Sequence, residues 1–240
     1  MLKLDILVLS VHPDDAELGC AGTILKHIAA GKKVGIVDLT RGELGTRGTA
    51  EIRAAEAAEA ARILGLAVRE NIGIPDGFFQ NTQEHQLKVI TAIRKYQPDI
   101  LITNAYHDRH PDHGRANELV EASAFLSGLR RIETYNNGEL QEAWRPGLVL
   151  HFIQDNYIRP DILIDVTEFW NKKIESIIAY GSQFFNPDWE EEPQTYISSP
   201  DFIKIIEARA MEFGKSIRVK YAEGFTSRKI LGVDSLFDLK

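Results

Sequence analysis

The feature that most constrains this chain is an alternation of short apolar runs with longer helical stretches through its first 130 residues. Leu4 to Ser10 is apolar and bounded by polar residues, as a parallel strand buried on both faces is. Glu17 to Ala30 then repeats Leu18, Ala21, Ile24, Leu25 and Ile28 at helical spacing, and Gly31 follows as a stop. The pattern recurs as strand Val34 to Thr40 and an Ala-rich helix from the cap Thr49 through Leu64 to Gly65. Strand Val68 to Ile74, the turn Pro75-Asp76-Gly77 and helix Thr82 to Tyr96 come next. Strand Asp99 to Thr103 and helix Pro111 to Leu126, with Pro in its first turn, complete the series. Such alternation predicts an α/β fold: a Rossmann-like, mostly parallel sheet with helices on both faces. Ligands then bind beyond the carboxyl ends of the strands.

The remainder is less regular, and an irregular C-terminal extension is expected. Leu148 to Ile153 and Ile162 to Val166 read as strands, Thr167 to Tyr180 as a helix, and Pro200 to Phe213 as a helix closed by Gly214. Residues 182–199, with Pro187, Pro193 and the run Glu190-Glu191-Glu192, read as a loop. We expect one domain over 1–240, with 1–130 as the Rossmann-like core and 131–240 as its elaboration.

Composition narrows the partners. Hydrophobic content of 44% and charged content of 26% suit a globular chain with a real core. A net charge of −7 disfavours nucleic acid and anionic membranes. The N-terminal apolar run is far shorter than a membrane span and is interrupted by Asp5, so a buried strand and a cytoplasmic location are expected. The single cysteine, Cys20, excludes an internal disulfide and a multi-thiolate zinc site, and reads as a core residue.

Chemistry concentrates in His12-Pro13-Asp14-Asp15 after the first strand and His107-Asp108-Arg109-His110-Pro111-Asp112-His113 after the fourth. In an open parallel sheet both fall on the ligand edge. Imidazole and carboxylate suit zinc and similar divalent ions, and three protein ligands leave a position open for water. Asp14 is a spare carboxylate, the requirement for a general base. His110 is a spare imidazole that can act as acid or stabilise an oxyanion, with Asp112 to orient it. Taken alone, the first cluster is equally well a capped helix N-terminus and the second a polar loop. Their pairing, with three histidines in seven residues, is what favours chemistry.

Together, His12-Pro13-Asp14-Asp15 and His110-Pro111-Asp112-His113 resemble the signature of the PIG-L/LmbE-like zinc de-N-acetylases of N-acetylglucosamine conjugates. Thr40-Arg41-Gly42-Glu43, the Arg53 helix and Arg109 to His113 are most similar to the branch acting on N-acetylglucosaminyl-malate in bacillithiol biosynthesis. The resemblance implies one zinc per subunit on His12, Asp15 and His113. Asp14 is then the base, His110 and Asp112 assist the tetrahedral intermediate, and Tyr196 completes the oxyanion site. It also implies that Arg53 and Arg109 hold an anionic aglycone and that the chain forms a homo-oligomer, often a hexamer in that branch. Glu43, with Arg41 and Arg47, is expected in a loop over the same edge, as substrate contact or ordinary turn residue. For Arg53 the competing expectation is a solvated helix residue paired with Glu56. Other N-acetylglucosamine conjugates, chitobiose-like sugars or antibiotic precursors, are the alternative substrates. The rivals from other classes are a metal-binding protein without catalysis and a nucleotide-binding Rossmann module using Gly19, Gly22 and Asp38. The latter lacks the Gly-x-Gly-x-x-Gly fingerprint and sets two aspartates where a pyrophosphate would sit.

Overall fold

A computed structural model describes residues 2–187 and 193–239. The expected Glu190-Glu191-Glu192 run lies outside the described residues. The strands are β1 (Ile6–Ser10), β2 (Val34–Asp38), β3 (Val68–Asn71), β4 (Ile100–Asn104), β5 (Tyr135–Asn136), β6 (Glu139–Leu140), β7 (Leu148–Phe152), β8 (Ile162–Asp165) and β9 (Ala222–Thr226). The helices are α1 (Asp15–Ala29), α2 (Ala50–Leu64), α3 (Gln83–Tyr96), α4 (Pro111–Leu126), α5 (Trp170–Ile178) and α6 (Phe202–Ser216).

One seven-stranded sheet has the order β3-β2-β1-β4-β7-β9-β8. The first five are mutually parallel; β9 runs antiparallel to both β7 and β8. The expected mostly parallel α/β sheet is therefore what the chain forms. Alternate residues of β1 face opposite layers, as strand geometry requires. Leu7 and Leu9 join Val89, Ile93, Leu119 and Val120 of α3 and α4. Ile6 and Val8 join Ala16, Cys20, Ala21 and Ile24 of α1. Cys20 is fully buried there, as expected of a core residue. A third apolar cluster joins α2 to α5 and α6 through Ala57, Ala60, Ile177, Tyr180 and Ile206. Because β1 connects to β2 on one side and pairs with β4 on the other, the topological switch point falls between β1 and β4.

Several expected boundaries move. The 167–180 helix divides into a 3-10 turn, Thr167–Phe169, and α5. α6 passes through Gly214 and does not stop there. A Cβ at 214 would come within 2.7 Å of the Val219 carbonyl oxygen, so this glycine permits close packing. The hairpin β5-β6 turns at Asn137-Gly138, a pair suited to the positive φ both residues adopt. α1 is interrupted at Cys20, with φ −148° and ψ 17°. The break frees backbone groups, and distant residues bind them. Glu223 on β9 accepts from the amides of Gly22 at 2.9 Å and Thr23 at 2.7 Å. Lys173 on α5 donates to the Leu18 carbonyl at 2.8 Å and pairs with Glu223 at 2.6 Å. Among the described residues, no helix is long and apolar enough to cross a membrane.

Candidate active site

The site grows from the two loops that leave the switch point. Beyond β1, the turn His12-Pro13-Asp14 enters α1 with Asp14 at φ 125°, a conformation that costs energy for any side chain bearing a Cβ. Arg53 of α2 holds this turn. Its guanidinium donates to the Pro13 carbonyl at 2.6 Å, to Asp14 Oδ2 at 3.1 Å and to the Gly42 carbonyl at 3.4 Å. Asp14 makes no side-chain capping bond to α1, so the plain capping role weighed for this cluster is not the one it plays. Asp15 accepts from three donors instead: the His12 amide at 3.0 Å, Asn104 Nδ2 at 3.2 Å and Gln154 Nε2 at 2.7 Å.

Beyond β4, His110 caps α4 by accepting from the Asp112 amide on Nδ1 at 3.3 Å. With Nδ1 used as an acceptor, the neutral ring carries its proton on Nε2. His113 lies one turn into α4, its Nδ1 2.6 Å from Asp108 and its Nε2 3.2 Å from Asp15 Oδ1. Asp15 thus stands between His113 and His12, whose Nδ1 is 3.5 Å from its other oxygen. The ring centroids of His12 and His113 are 5.9 Å apart, and His110 is 4.8 Å from the first and 5.3 Å from the second. Residues a hundred positions apart in the chain therefore do converge.

Burial opposes charge on His12, but bonds to Asp112, Asp15 and Asp76 outweigh it and hold its pKa well above the ordinary value. Burial likewise opposes charge on His113, yet Asp15 and Asp108 lift it to about 9. His110 moves the other way, lowered by burial and by its two imidazole neighbours. Burial raises Asp14 to about 7 against the lowering charge of Arg53. Surroundings that keep two buried imidazoles protonated are surroundings that favour a cation, and a divalent ion would replace those protons. The donors fit: His12, His110 and His113 offer nitrogens within 4.8 Å of one another, and His12, Asp76 and Asp112 form a second such group.

Not every anticipated residue stands where it was expected. The Asp112 carboxylate does not reach His110. It accepts from the Gly77 amide at 3.0 Å and from Arg115 at 2.5 Å, and lies 3.7 Å from His12 Nε2. Arg53 is buried, and Glu56 bonds to Ser182 at 2.6 and 2.7 Å, so the solvated Arg53–Glu56 pair does not form. Arg109 pairs with Asp155 at 2.6 Å, and the Tyr196 hydroxyl donates to the same carboxylate at 3.1 Å. Both line a cleft of about 320 Å³ with His12, Asp14, Asp15, His110 and His113. Arg53 and Arg47 line it too, whereas Glu43 does not; its carboxylate accepts the amides of Asp76 and Arg41. Asp38 is engaged bidentately by Arg69 at 2.8 and 3.0 Å, and a Cβ at Gly22 would strike Val166 at 2.6 Å. The features cited for a nucleotide site thus have packing roles.

Sequence reasoning missed Asp76, Asp108, Asn104 and Gln154. Asp108 was visible as an acid five residues before His113, and Asp76 within a turn whose polar residue was assigned to the turn itself. Gln154 and Asn104 carry no local signal; only the pairing of β4 with β7 brings them to Asp15.

Imidazoles and carboxylates gathered at a switch point, with a further buried carboxylate nearby, make a metal-competent centre of the kind hydrolases use. Residues 7–124 match the family profile described as PIG-L, GlcNAc-PI de-N-acetylase. The structure resembles that of the conserved protein TT1542 from Thermus thermophilus, with TM-score 0.85 and 36% identity over 96% of this chain and 98% of that one. A diacetylchitobiose deacetylase from Thermococcus kodakarensis is 28% identical, covering 91% of this chain and 81% of its own. A probable N-acetyl-alpha-D-glucosaminyl L-malate deacetylase 2 from Bacillus anthracis is also 28% identical, covering 75% and 81%. This chain belongs to the PIG-L family, and its enzymatic class is that of the amide-hydrolysing N-deacetylases.

Proposed function

We propose that the chain removes the N-acetyl group of an N-acetylglucosamine conjugate by zinc-dependent hydrolysis, with His12, Asp15 and His113 as the ligands. The observation that carries this is the Asp15 carboxylate set between two imidazoles, 3.5 Å from His12 and 3.2 Å from His113. When bound, zinc supplies Lewis acidity and a water acidified from a pKa of about 16 to about 7. Asp14 takes the proton of the attacking water and delivers it to the departing amine; burial favours its protonated form and Arg53 its charged form, as a group that does both requires. Arg53 fixes Asp14 in its left-handed conformation. His110, neutral and protonated on Nε2, donates to the developing oxyanion. Tyr196 lines the same cleft and becomes a second donor once its hydroxyl turns from Asp155 to the substrate. Asp108 holds the His113 ring, and Asp76 and Asp112 hold that of His12.

The malate conjugate of bacillithiol biosynthesis requires guanidinium groups free for a carboxylate. Arg53 is engaged by Asp14 and backbone carbonyls, and Arg109 by Asp155. We therefore favour a neutral, chitobiose-like conjugate as substrate, in keeping with the Thermococcus relative. The reading includes a cytoplasmic homo-oligomer, which analytical ultracentrifugation measures. Acetate release from N-acetylglucosamine conjugates should stop with chelator and return with zinc. Asp14→Asn should retain zinc by metal analysis while losing about 10²- to 10⁴-fold in kcat. Near-normal turnover by that variant would remove Asp14 as base.

A further inference from the structure

Shortly after β7, three consecutive residues bond to groups in and around the cleft. Gln154 Nε2 donates to Asp15 Oδ1 at 2.7 Å. The Asn156 amide donates to Asp108 Oδ1 at 2.7 Å, and the other oxygen of Asp108 meets His113. Between them, Asp155 bonds to Arg109 and Tyr196, two of the residues that line the cleft. Its Oδ2 accepts from Arg109 Nε at 2.6 Å and its Oδ1 from the Tyr196 hydroxyl at 3.1 Å. The Arg109 guanidinium lies 4.6 Å from the centroid of the Tyr196 ring, stacked as cations stack on aromatic faces. Arg209 of α6 donates to the Asp155 carbonyl and fixes the backbone beneath. The Asp155 side chain is 14% exposed and that of Arg109 48%, so the better-buried partner positions the freer one.

We propose that Asp155 is a specificity-determining positioning residue. It ties Arg109 to Tyr196 across the cleft mouth and cancels the arginine's charge, so that neutral sugar conjugates are accepted over carboxylate-bearing ones. This rests on the deacetylase reading above. A guanidinium recognises a carboxylate through its planar fork of N–H groups, and Asp155 already occupies Nε. An incoming carboxylate must displace Asp155 or approach it against like charge. The other arginines of the cleft offer no substitute: Arg53 is bonded as described, and Arg47 donates to the carbonyls of Ser182 and Pro193. Arg209 also lies within electrostatic reach of Asp155 and Tyr196 but is not part of the cleft lining; of the lining arginines, Arg109 is the one that Asp155 pairs.

The test compares Asp155→Asn, Arg109→Ala and the double variant, each loaded with zinc. kcat/KM is measured for diacetylchitobiose and for N-acetylglucosaminyl-malate. Asp155→Asn should shift the ratio about fivefold toward the malate conjugate, mainly through KM, as suits a half-exposed ion pair. The double variant should lose that shift. Equal losses on both substrates would mean that Asp155 only supports the fold, and would overturn the proposal. Calorimetric binding of free L-malate gives a readout independent of turnover. Affinity should rise about fivefold in Asp155→Asn and fall back in the double variant; an unchanged affinity would also overturn it. Failure of the wild type to release acetate from either conjugate would defeat the deacetylase reading, while the malate titration would still decide the role of Asp155.

Discussion

The two halves of the molecule divide the work unequally. The first, β1 to α4, supplies most of the groups proposed to react, and its local structure is written locally. Thr49 and Thr82 accept the amides of Ile52 and His85 at 3.3 Å, and Pro111 occupies the first turn of α4. The second half, β7 to β9, supplies few of those proposed groups but many of the bonds that hold them. Glu223 and Lys173 satisfy the broken backbone of α1, and Gln154 fixes Asp15. Ser182 anchors Glu56 on the helix that carries Arg53. The difference teaches that the chemical groups and their supports can be encoded far apart, with the supports dispersed among residues that form no motif.

The largest effect expected from breaking this arrangement comes from Lys173, which is 2% exposed. Lys173→Met would leave Glu223 charged and buried with only two backbone donors, and the Leu18 carbonyl without its ammonium. Removing one partner of a buried pair costs about 3–5 kcal/mol, so urea unfolding should show a loss of that size. A loss below about 1 kcal/mol would mean that the C-terminal half does not stabilise α1.

A smaller and more selective effect is expected at Gln154. Its amide donates to a carboxylate proposed to bind zinc, and such outer partners are worth about 10- to 100-fold in metal affinity. Gln154→Ala should lower zinc affinity by that factor in a competitive chelator titration. Unfolding of the metal-free protein should change much less than in Lys173→Met. Wild-type affinity in this variant would confine the functional contribution to the first half.

What the sequence made legible follows the same division. Strand–helix alternation, helix caps and paired His/Asp clusters are short-range patterns, and they predicted the parallel sheet and the residues that meet at its switch point. β9 was invisible because Ala222-Glu223-Gly224-Phe225-Thr226 has neither alternation nor an apolar run; all five positions are nevertheless buried. The break in α1 was hidden because the apolar spacing continues across Cys20, while the bonds that permit it come from residues 173 and 223. The partners of the arginines were hidden for a similar reason. Asp155, which engages Arg109, lies 46 residues away in a segment with no motif.

The smallest effect sharpens the contrast from the other side. Thr49 caps α2 with its own hydroxyl, a bond that needs nothing from the C-terminal half. Loss of such a cap costs about 1 kcal/mol, because one amide of the first turn must turn to water. Thr49→Ala should therefore shift the urea midpoint by a corresponding small amount and leave the denaturant slope unchanged. Combined with Lys173→Met, its cost should add, since a solvent-facing cap and the buried pair share no partner. A penalty equal to that of the lysine variant, or strong coupling between the two, would show that α2 depends on the distant supports as α1 does. The separation between locally written and remotely supported helices would then be lost.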